Sequence, residues 1–109
     1  MNNSIFFVMP AYNEAENIET TIKQWYPVVQ GCADMGCDAR LVIANDGSKD
    51  DTYAIMDSMR MHYPLLTPID KPNSGHGATV LFLYRYALEQ GANYVFQTDS
   101  DGQTVPEEF

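Results

Sequence analysis

Two carboxylates two residues apart, Asp99 and Asp101, are the side chains of this sequence best suited to hold a divalent cation. They follow a short apolar run typical of a buried strand, and Gln103 adds a third oxygen donor. Hard oxygen donors suit Mg²⁺ or Mn²⁺, whose open positions take phosphate oxygens and water. An ordinary Asp-Gly turn explains the carboxylate pair as well when it is taken alone. Together with Gln103 and the clusters below, the pattern favours a metal site at Asp99, Asp101 and Gln103.

Three more polar clusters follow the other apolar runs. Asp46 is suited to accept hydrogen bonds from a base or a ribose, and equally suited to form a turn or cap a helix. Tyr12 is able to stack on a base or simply to pack, and Glu14 to bond a base or ribose or to face a helix dipole. His76, flanked by glycines, is placed either to approach a phosphate or to lie in a solvated loop.

The elements that position these clusters are four strands that alternate with three helices. Continuous apolar runs predict strands buried on both faces, as in parallel sheets, and helical spacing of apolar residues marks the segments between them. The strands are predicted at 5–9, 41–44, 65–69 and 94–98. This order predicts an α/β fold with a parallel sheet and helices on both faces. Ligands bind such sheets at the carboxyl ends of the strands, where all four clusters would meet.

Local signals predict finer features of these elements. Asn13 is expected to cap the first helix, and Pro27 to kink or restart it. The prolines that flank the third strand predict that it lies near a sheet edge. The third helix is predicted over 78–90 and ends at Gly91. Its apolar face is predicted to carry Val80, Leu81, Tyr84, Ala87 and Leu88.

Composition excludes several classes of function. The chain has 109 residues, enough for one domain, and a formal charge of −9 from 15 acidic and 6 basic residues. This balance argues against binding nucleic acid, and against docking on anionic lipid through this segment alone. Cys32 and Cys37 do not have the spacing of a CxxC motif and are expected to be plain thiols. We find no signal peptide and no run of ~20 apolar residues, so a cytoplasmic location is expected, or the cytoplasmic membrane face if an anchor exists.

Four motifs resemble family 2 glycosyltransferases in order and spacing. The segment VMPAYNE at 8–14 resembles the opening motif of that family, and NDGSKDDT at 45–52 is similar to its D-D-G-S-x-D-x-T motif. The loop NSGHGA at 73–78 is similar to N-x-G-x-G-A. DSDGQTVPE at 99–107 resembles the D-x-D-G-Q-x-x-P-E version of the polyprenyl-phosphate branch, whose members are similar to dolichol-phosphate mannose synthase. Asn45 departs from the usual first Asp, and Thr104 stands where branch members often carry His.

The resemblance implies a GT-A fold, three α/β/α layers around a mainly parallel sheet with strand order 3-2-1-4. Residues 1–109 would be the nucleotide-sugar-binding part, with the acceptor site and the catalytic base beyond Phe109. A divalent cation would be held by Asp99, Asp101 and Gln103. The donor-binding residues implied are Pro10, Tyr12, Glu14, Ala44, Asp46, His76, Asp99, Ser100 and Asp101.

The activity implied by the resemblance is hexosyl transfer with inversion from a UDP- or GDP-linked sugar to an acceptor such as a lipid phosphate. No residue of the chain is assigned as catalytic, and the isolated chain is expected to be inactive. A non-catalytic module that binds a nucleotide sugar is the alternative. Surfaces that would pack on a missing half are expected to cause self-association as a homodimer.

Overall fold

The computed structural model describes residues 3–99, in which strands and helices alternate along the chain. The order is the βαβαβαβ order that the apolar runs predict. The seven elements are β1 (Ser4–Ala11), α1 (Ile18–Asp34), β2 (Asp38–Asp46), α2 (Thr52–Met59), β3 (Leu66–Lys71), α3 (His76–Glu89) and β4 (Tyr94–Gln97).

The four strands form one parallel sheet in the order β3-β2-β1-β4. In its register, Val8 of β1 lies opposite Val42 of β2 on one side and Gln97 of β4 on the other. The strand order 3-2-1-4 is therefore confirmed, as is the position of the proline-flanked β3 at a sheet edge. Parallel pairing places the carboxyl ends of all four strands along one edge.

The sheet is covered on both faces, which explains why its central strands are apolar without alternation. Phe7 and Met9 pack with buried residues of α1 and α2, including Trp25. Phe6 and Val8, which point to the opposite face, pack against α3. The predicted three-layer α/β/α fold is confirmed.

Helix α3 packs through a different face from the one predicted. It begins at His76, and its buried residues are Thr79, Leu83 and Ala87, one on each successive turn. Of the predicted face, Ala87 is buried and Val80 is partly buried, whereas Leu81, Tyr84 and Leu88 are exposed. The prediction was wrong because both sides of this helix carry apolar residues. Hydropathy alone does not distinguish the row that contacts the sheet.

Helix α1 also differs from its prediction. It begins at Ile18, and Asn17 occupies its N-cap position without a side-chain hydrogen bond. Asn13 is therefore not the cap. Pro27 lies inside the helix, which continues to Asp34 without restarting. The apolar stripe on both sides of the proline packs on the sheet, and this packing maintains the helix across it.

Part of the predicted site lies outside the described residues. Ser100, Asp101 and Gln103 belong to this part. Among the described helices, none has the length and hydropathy that a membrane span requires.

Candidate functional site

A cavity of about 470 Å³ opens at the carboxyl ends of the strands. The structure brings together there Pro10, Tyr12, Glu14, Asp46, His76 and Asp99, the predicted donor-binding residues that the described chain contains, apart from Ala44. Three further residues, Ala11, Asn73 and Gly75, which are not among the predicted donor-binding residues, complete the wall. The lining consists of Pro10, Ala11, Tyr12, Glu14, Asp46, Asn73, Gly75, His76 and Asp99.

Asn13 turns the chain out of β1 towards the loop after β2. Its φ of 52° is left-handed, a conformation that Asn tolerates better than most residues. The Asn13 N–H donates to Ser48 Oγ at 2.9 Å, and its side-chain oxygen accepts the Lys49 N–H at 2.8 Å. These two bonds hold Tyr12, which is 43% exposed, at the cavity wall.

The backbone of Glu14 and Ala15 is held by the end of the segment 45–52. The Glu14 N–H donates to Thr52 Oγ1 at 2.9 Å, and the Ala15 N–H donates to Asp50 Oδ2 at 3.2 Å. The Thr52 hydroxyl donates in turn to Asp50. This hydroxyl contributes most to lowering the pKa of Asp50, against a smaller opposing effect of burial. Asp50 and Thr52 therefore fix the backbone that presents Glu14, and need not touch a ligand.

Asp46 is buried, and its carboxylate is already bonded on both oxygens. Oδ1 accepts Lys71 Nζ at 3.0 Å and the Ser74 N–H at 2.7 Å, while Oδ2 accepts the Gly75 N–H at 3.0 Å. Desolvation raises the pKa of Asp46, but the bonds from Ser74, Lys71 and Thr79 outweigh it and the pKa is lowered. The side chain is therefore ionised at neutral pH, and its hydrogen bonds fix its position.

This carboxylate fills the group of backbone N–H donors that precedes α3. Such donors at a helix N-terminus ordinarily attract a phosphate. Since the Ser74 and Gly75 N–H groups already bond Asp46, they are not available to another anion in the cavity.

Lys71 was not recognised from the sequence. Its ammonium donates to Asp46, to the Pro72 carbonyl at 2.9 Å and to Ser74 Oγ at 2.5 Å. The sheet register places Lys71 directly opposite Asp46. The sequence pattern that would have predicted this pair is a lysine shortly after one predicted strand and an aspartate shortly after the neighbouring strand.

Gly47 allows the loop after β3 to close on the end of β2. Its φ is +60°, and an added Cβ would lie 2.5 Å from Asn73 N. Asn73 in turn donates its side-chain amide to the Asp46 carbonyl at 2.9 Å. Only glycine permits this approach, so Gly47 is needed to form the cavity wall at Asn73.

Asn45, which departs from the expected Asp, has a structural explanation. It is buried, and its amide donates to Asp70 Oδ1 at 2.8 Å while its oxygen accepts the Ser48 hydroxyl. A carboxylate at this position would face the carboxylate of Asp70, and like charges at opposed strand positions are destabilising.

Asp99 and His76 face each other across the mouth of the cavity. His76 Nε2 lies 3.8 Å from Asp99 Oδ1, which also accepts Gln97 Nε2 at 3.1 Å. The Asp99 side chain is 41% exposed. Residues 3–99 contain no cluster of three or more His, Cys, Asp or Glu able to hold a metal. The predicted partners of Asp99 are Asp101 and Gln103.

Ala44 is the predicted donor-binding residue of the described chain that the structure does not bring to the cavity. It is fully buried in the core beneath α3.

Comparison with known sequences identifies the family. The sequence model described as Glycosyl transferase family 2 matches residues 6–109, which is nearly the whole chain. The chain belongs to glycosyltransferase family 2. Its parallel sheet with order 3-2-1-4 and flanking helices is consistent with the GT-A fold.

Three curated relatives of this family 2 glycosyltransferase chain carry names that refer to dolichyl or polyprenol phosphates. It is 29% identical over 94% of its length to a dolichyl-phosphate beta-glucosyltransferase of Trichomonas vaginalis, covering 31% of that protein. It is 29% identical to a polyprenol monophosphomannose synthase of Mycolicibacterium smegmatis, over 94% of this chain and 37% of that protein. A UDP-N-acetylglucosamine–dolichyl-phosphate N-acetylglucosaminyltransferase of Methanococcus voltae is 27% identical, over 96% of this chain and 44% of that protein. The chain thus spans less than half the length of these relatives.

Proposed function

We propose that this chain is the donor-binding part of an inverting glycosyltransferase that transfers a hexosyl group from a UDP- or GDP-linked sugar to a polyprenyl phosphate. The observation that carries the proposal is the convergence of Tyr12, Glu14, Asp46, His76 and Asp99 on one cavity of about 470 Å³. The names of the relatives support the acceptor class.

The nucleoside would occupy the side of the cavity formed by Pro10 and Tyr12. An exposed tyrosine ring offers a face on which a base can stack. Asp46, whose position is fixed by Lys71 and two backbone N–H groups, has acceptor capacity left on Oδ2 for one N–H of a base or one ribose hydroxyl. Glu14 lies on the same wall.

The diphosphate needs positive charge that this acidic chain does not provide. The formal charge is −9, and Lys71 is already paired with Asp46. We propose that Asp99, Asp101 and Gln103 hold Mg²⁺ or Mn²⁺, with Ser100 and His76 close to the phosphates. When bound, the cation would offset the negative charge that grows on the departing nucleoside diphosphate.

The proposed reaction is a single displacement. An oxygen of the acceptor phosphate attacks the anomeric carbon of the sugar. The attack comes from the face opposite the nucleoside diphosphate, whose bond to that carbon breaks, and the configuration inverts. A phosphate oxygen is ionised at neutral pH, so it needs little help from a general base. The residues of this chain hold the donor, and none of them is assigned as a base.

The alternative is a module that binds a nucleotide sugar without transferring it. We propose donor binding without turnover for the isolated 109 residues, because they span less than half the length of the relatives. Turnover by the isolated chain would contradict this proposal. We also propose action in the cytoplasm or at the cytoplasmic face of the membrane.

Self-association is a further part of the proposal. Leu81, Tyr84 and Leu88 form an exposed apolar row on α3, and Tyr94 at the start of β4 is exposed as well. Apolar rows of this kind favour contact with a second apolar surface. We propose that the isolated chain pairs with a second copy through this row.

Calorimetric titration with UDP-sugars and GDP-sugars, with and without Mn²⁺, tests the donor site. We expect one of the two nucleotides to bind only with the metal, and Asp101→Ala to weaken binding at least about tenfold. Glu89→Gln is the matched control, because Glu89 ends α3, about 20 Å along the helix from His76 at its start. Binding that ignores both the metal and Asp101 would overturn the assignment.

A further inference from the structure

The second feature of chemical interest lies at the opposite edge of the sheet, where α1 ends and β2 begins. The Gly36 N–H donates to the Ala33 carbonyl at 3.0 Å, and the Cys37 N–H donates to the Cys32 carbonyl at 3.1 Å. Gly36 has a φ of +97°. These two bonds and the left-handed glycine form the Schellman motif that closes many helices.

A Schellman motif brings two particular side chains together. The residue after the glycine and the residue whose carbonyl it bonds commonly pack against each other, usually as an apolar pair. In this chain both positions are cysteine, Cys37 and Cys32. The motif therefore places two thiols side by side although their spacing matches no familiar cysteine motif.

The surroundings of the two thiols agree with this placement. Both cysteines are free and half-buried, and Cys32 packs against the core beneath α1. Burial raises the pKa of the Cys32 thiol, and the neighbouring Cys37 thiol raises it further.

We propose that Cys32 and Cys37 are a redox modification site, a dithiol that closes to an intramolecular disulfide across the C-terminal cap of α1. The oxidant is a small disulfide of the glutathione class. Because the thiolate of Cys32 is disfavoured, Cys37 attacks first, forms a mixed disulfide and releases one glutathione thiolate. Cys32 then attacks the sulfur of Cys37 and releases the second glutathione. Two protein thiols are oxidised, one glutathione disulfide is reduced, and the two thiol protons go to the departing glutathiones.

The disulfide would fix the end of α1 to the start of β2 without touching the donor cavity. Cys37 precedes Asp38, the first residue of β2, whereas Asp46 at the cavity is its last. Eight residue steps along a strand separate the two ends by about 26 Å. This separation makes the site independent of the proposed function.

Equilibration in mixtures of reduced and oxidised glutathione, followed by acid quench and intact mass, measures disulfide formation. The disulfide form lacks two hydrogen atoms and resists alkylation. We expect an equilibrium constant about tenfold larger for the native chain than for the chain in urea, because the folded cap holds the thiols together. A native constant equal to or below that of the unfolded chain would overturn the proposal, as would two mixed disulfides or cross-linked dimers.

Two variants connect this result with the cap. Gly36→Ala should lower the native constant towards the unfolded value, because alanine disfavours the φ of +97° although its Cβ meets no atom within 4 Å. Gly31→Ala is the control inside α1, also with no contact within 4 Å, and should leave the constant unchanged. Equal effects of the two variants would contradict a role for the cap.

Discussion

At the scale of single residues, the cavity depends on a largely buried ion pair that holds its wall in place. Lys71 and Asp46 are 12% and 5% exposed, and their bonds hold the turn that leads to His76. An aspartate that would be expected to bind a ligand therefore first organises the wall around it. A buried charge that loses its partner costs far more than an exposed one.

Lys71→Met tests this role. It leaves the Asp46 carboxylate buried without its cation, so the free energy of unfolding should fall by about 3 kcal/mol. Chemical denaturation of both proteins measures the difference. Lys23→Met is the matched control, because Lys23 pairs with Glu19 on the exposed side of α1 and should change stability by under about 0.5 kcal/mol. Similar losses in both variants would contradict the account.

The carboxyls of Asp46 and Asp50 predict how stability depends on pH. Both have folded pKa values below the ordinary value of 3.8. The folded chain therefore binds protons at these two carboxylates less readily than the unfolded chain does. The stability that the carboxylates contribute is present above the unfolded pKa and is lost as pH falls through the folded pKa. Chemical denaturation at about pH 5 and at about pH 3 should show that the free energy of unfolding falls with pH. The fall should be smaller in Asp50→Asn than in the parent chain. Equal losses in the variant and the parent would contradict the assignment for Asp50.

At the scale of elements, the loops after β2 and β3 meet at Gly47. Gly47→Ala places a Cβ 2.5 Å from Asn73 N at a φ of +60°, so this variant should lose about 2 kcal/mol or more. Gly31→Ala, inside α1 with no atom within 4 Å, should gain about 0.5–1 kcal/mol. Thermal unfolding of the two variants measures the expected loss of stability in one and the expected gain in the other. A neutral Gly47→Ala would show that the two loops do not meet there.

The elements were predictable where one physical signal dominates. The apolar runs at Phe6–Met9 and Leu41–Ala44 have no alternation, which only burial on both faces explains. The strand order followed from the family resemblance, and the convergence of polar clusters followed from parallel pairing.

The remaining features depend on contacts between distant segments. Asn13 resembles a helix cap locally, yet its partners Ser48 and Lys49 lie 35 and 36 residues away. The inward face of α3 depends on the fit of Thr79 and Leu83 to the sheet, and hydropathy ranks Leu81 and Leu88 equally well. No local pattern encodes such choices.

At the scale of the whole molecule, the exposed row on α3 predicts self-association. Light scattering at high concentration should detect dimers, and Leu81→Lys combined with Leu88→Lys should return the monomer, because charge opposes burial of the row. Met61→Lys is the control, since Met61 is exposed outside this helix. A parent chain that stays monomeric would contradict the prediction.

The central claim is that the strand ends form one pocket for a cation and a nucleotide sugar. Paramagnetic broadening of backbone amide signals by Mn²⁺, with a bound UDP- or GDP-sugar, tests it most directly. Signals of residues 11–14, 46–47, 73–77 and 98–99 should broaden, and those of residues 32–38 at the far edge should stay sharp. Broadening centred on residues 32–38, or none at the strand ends, would contradict the account.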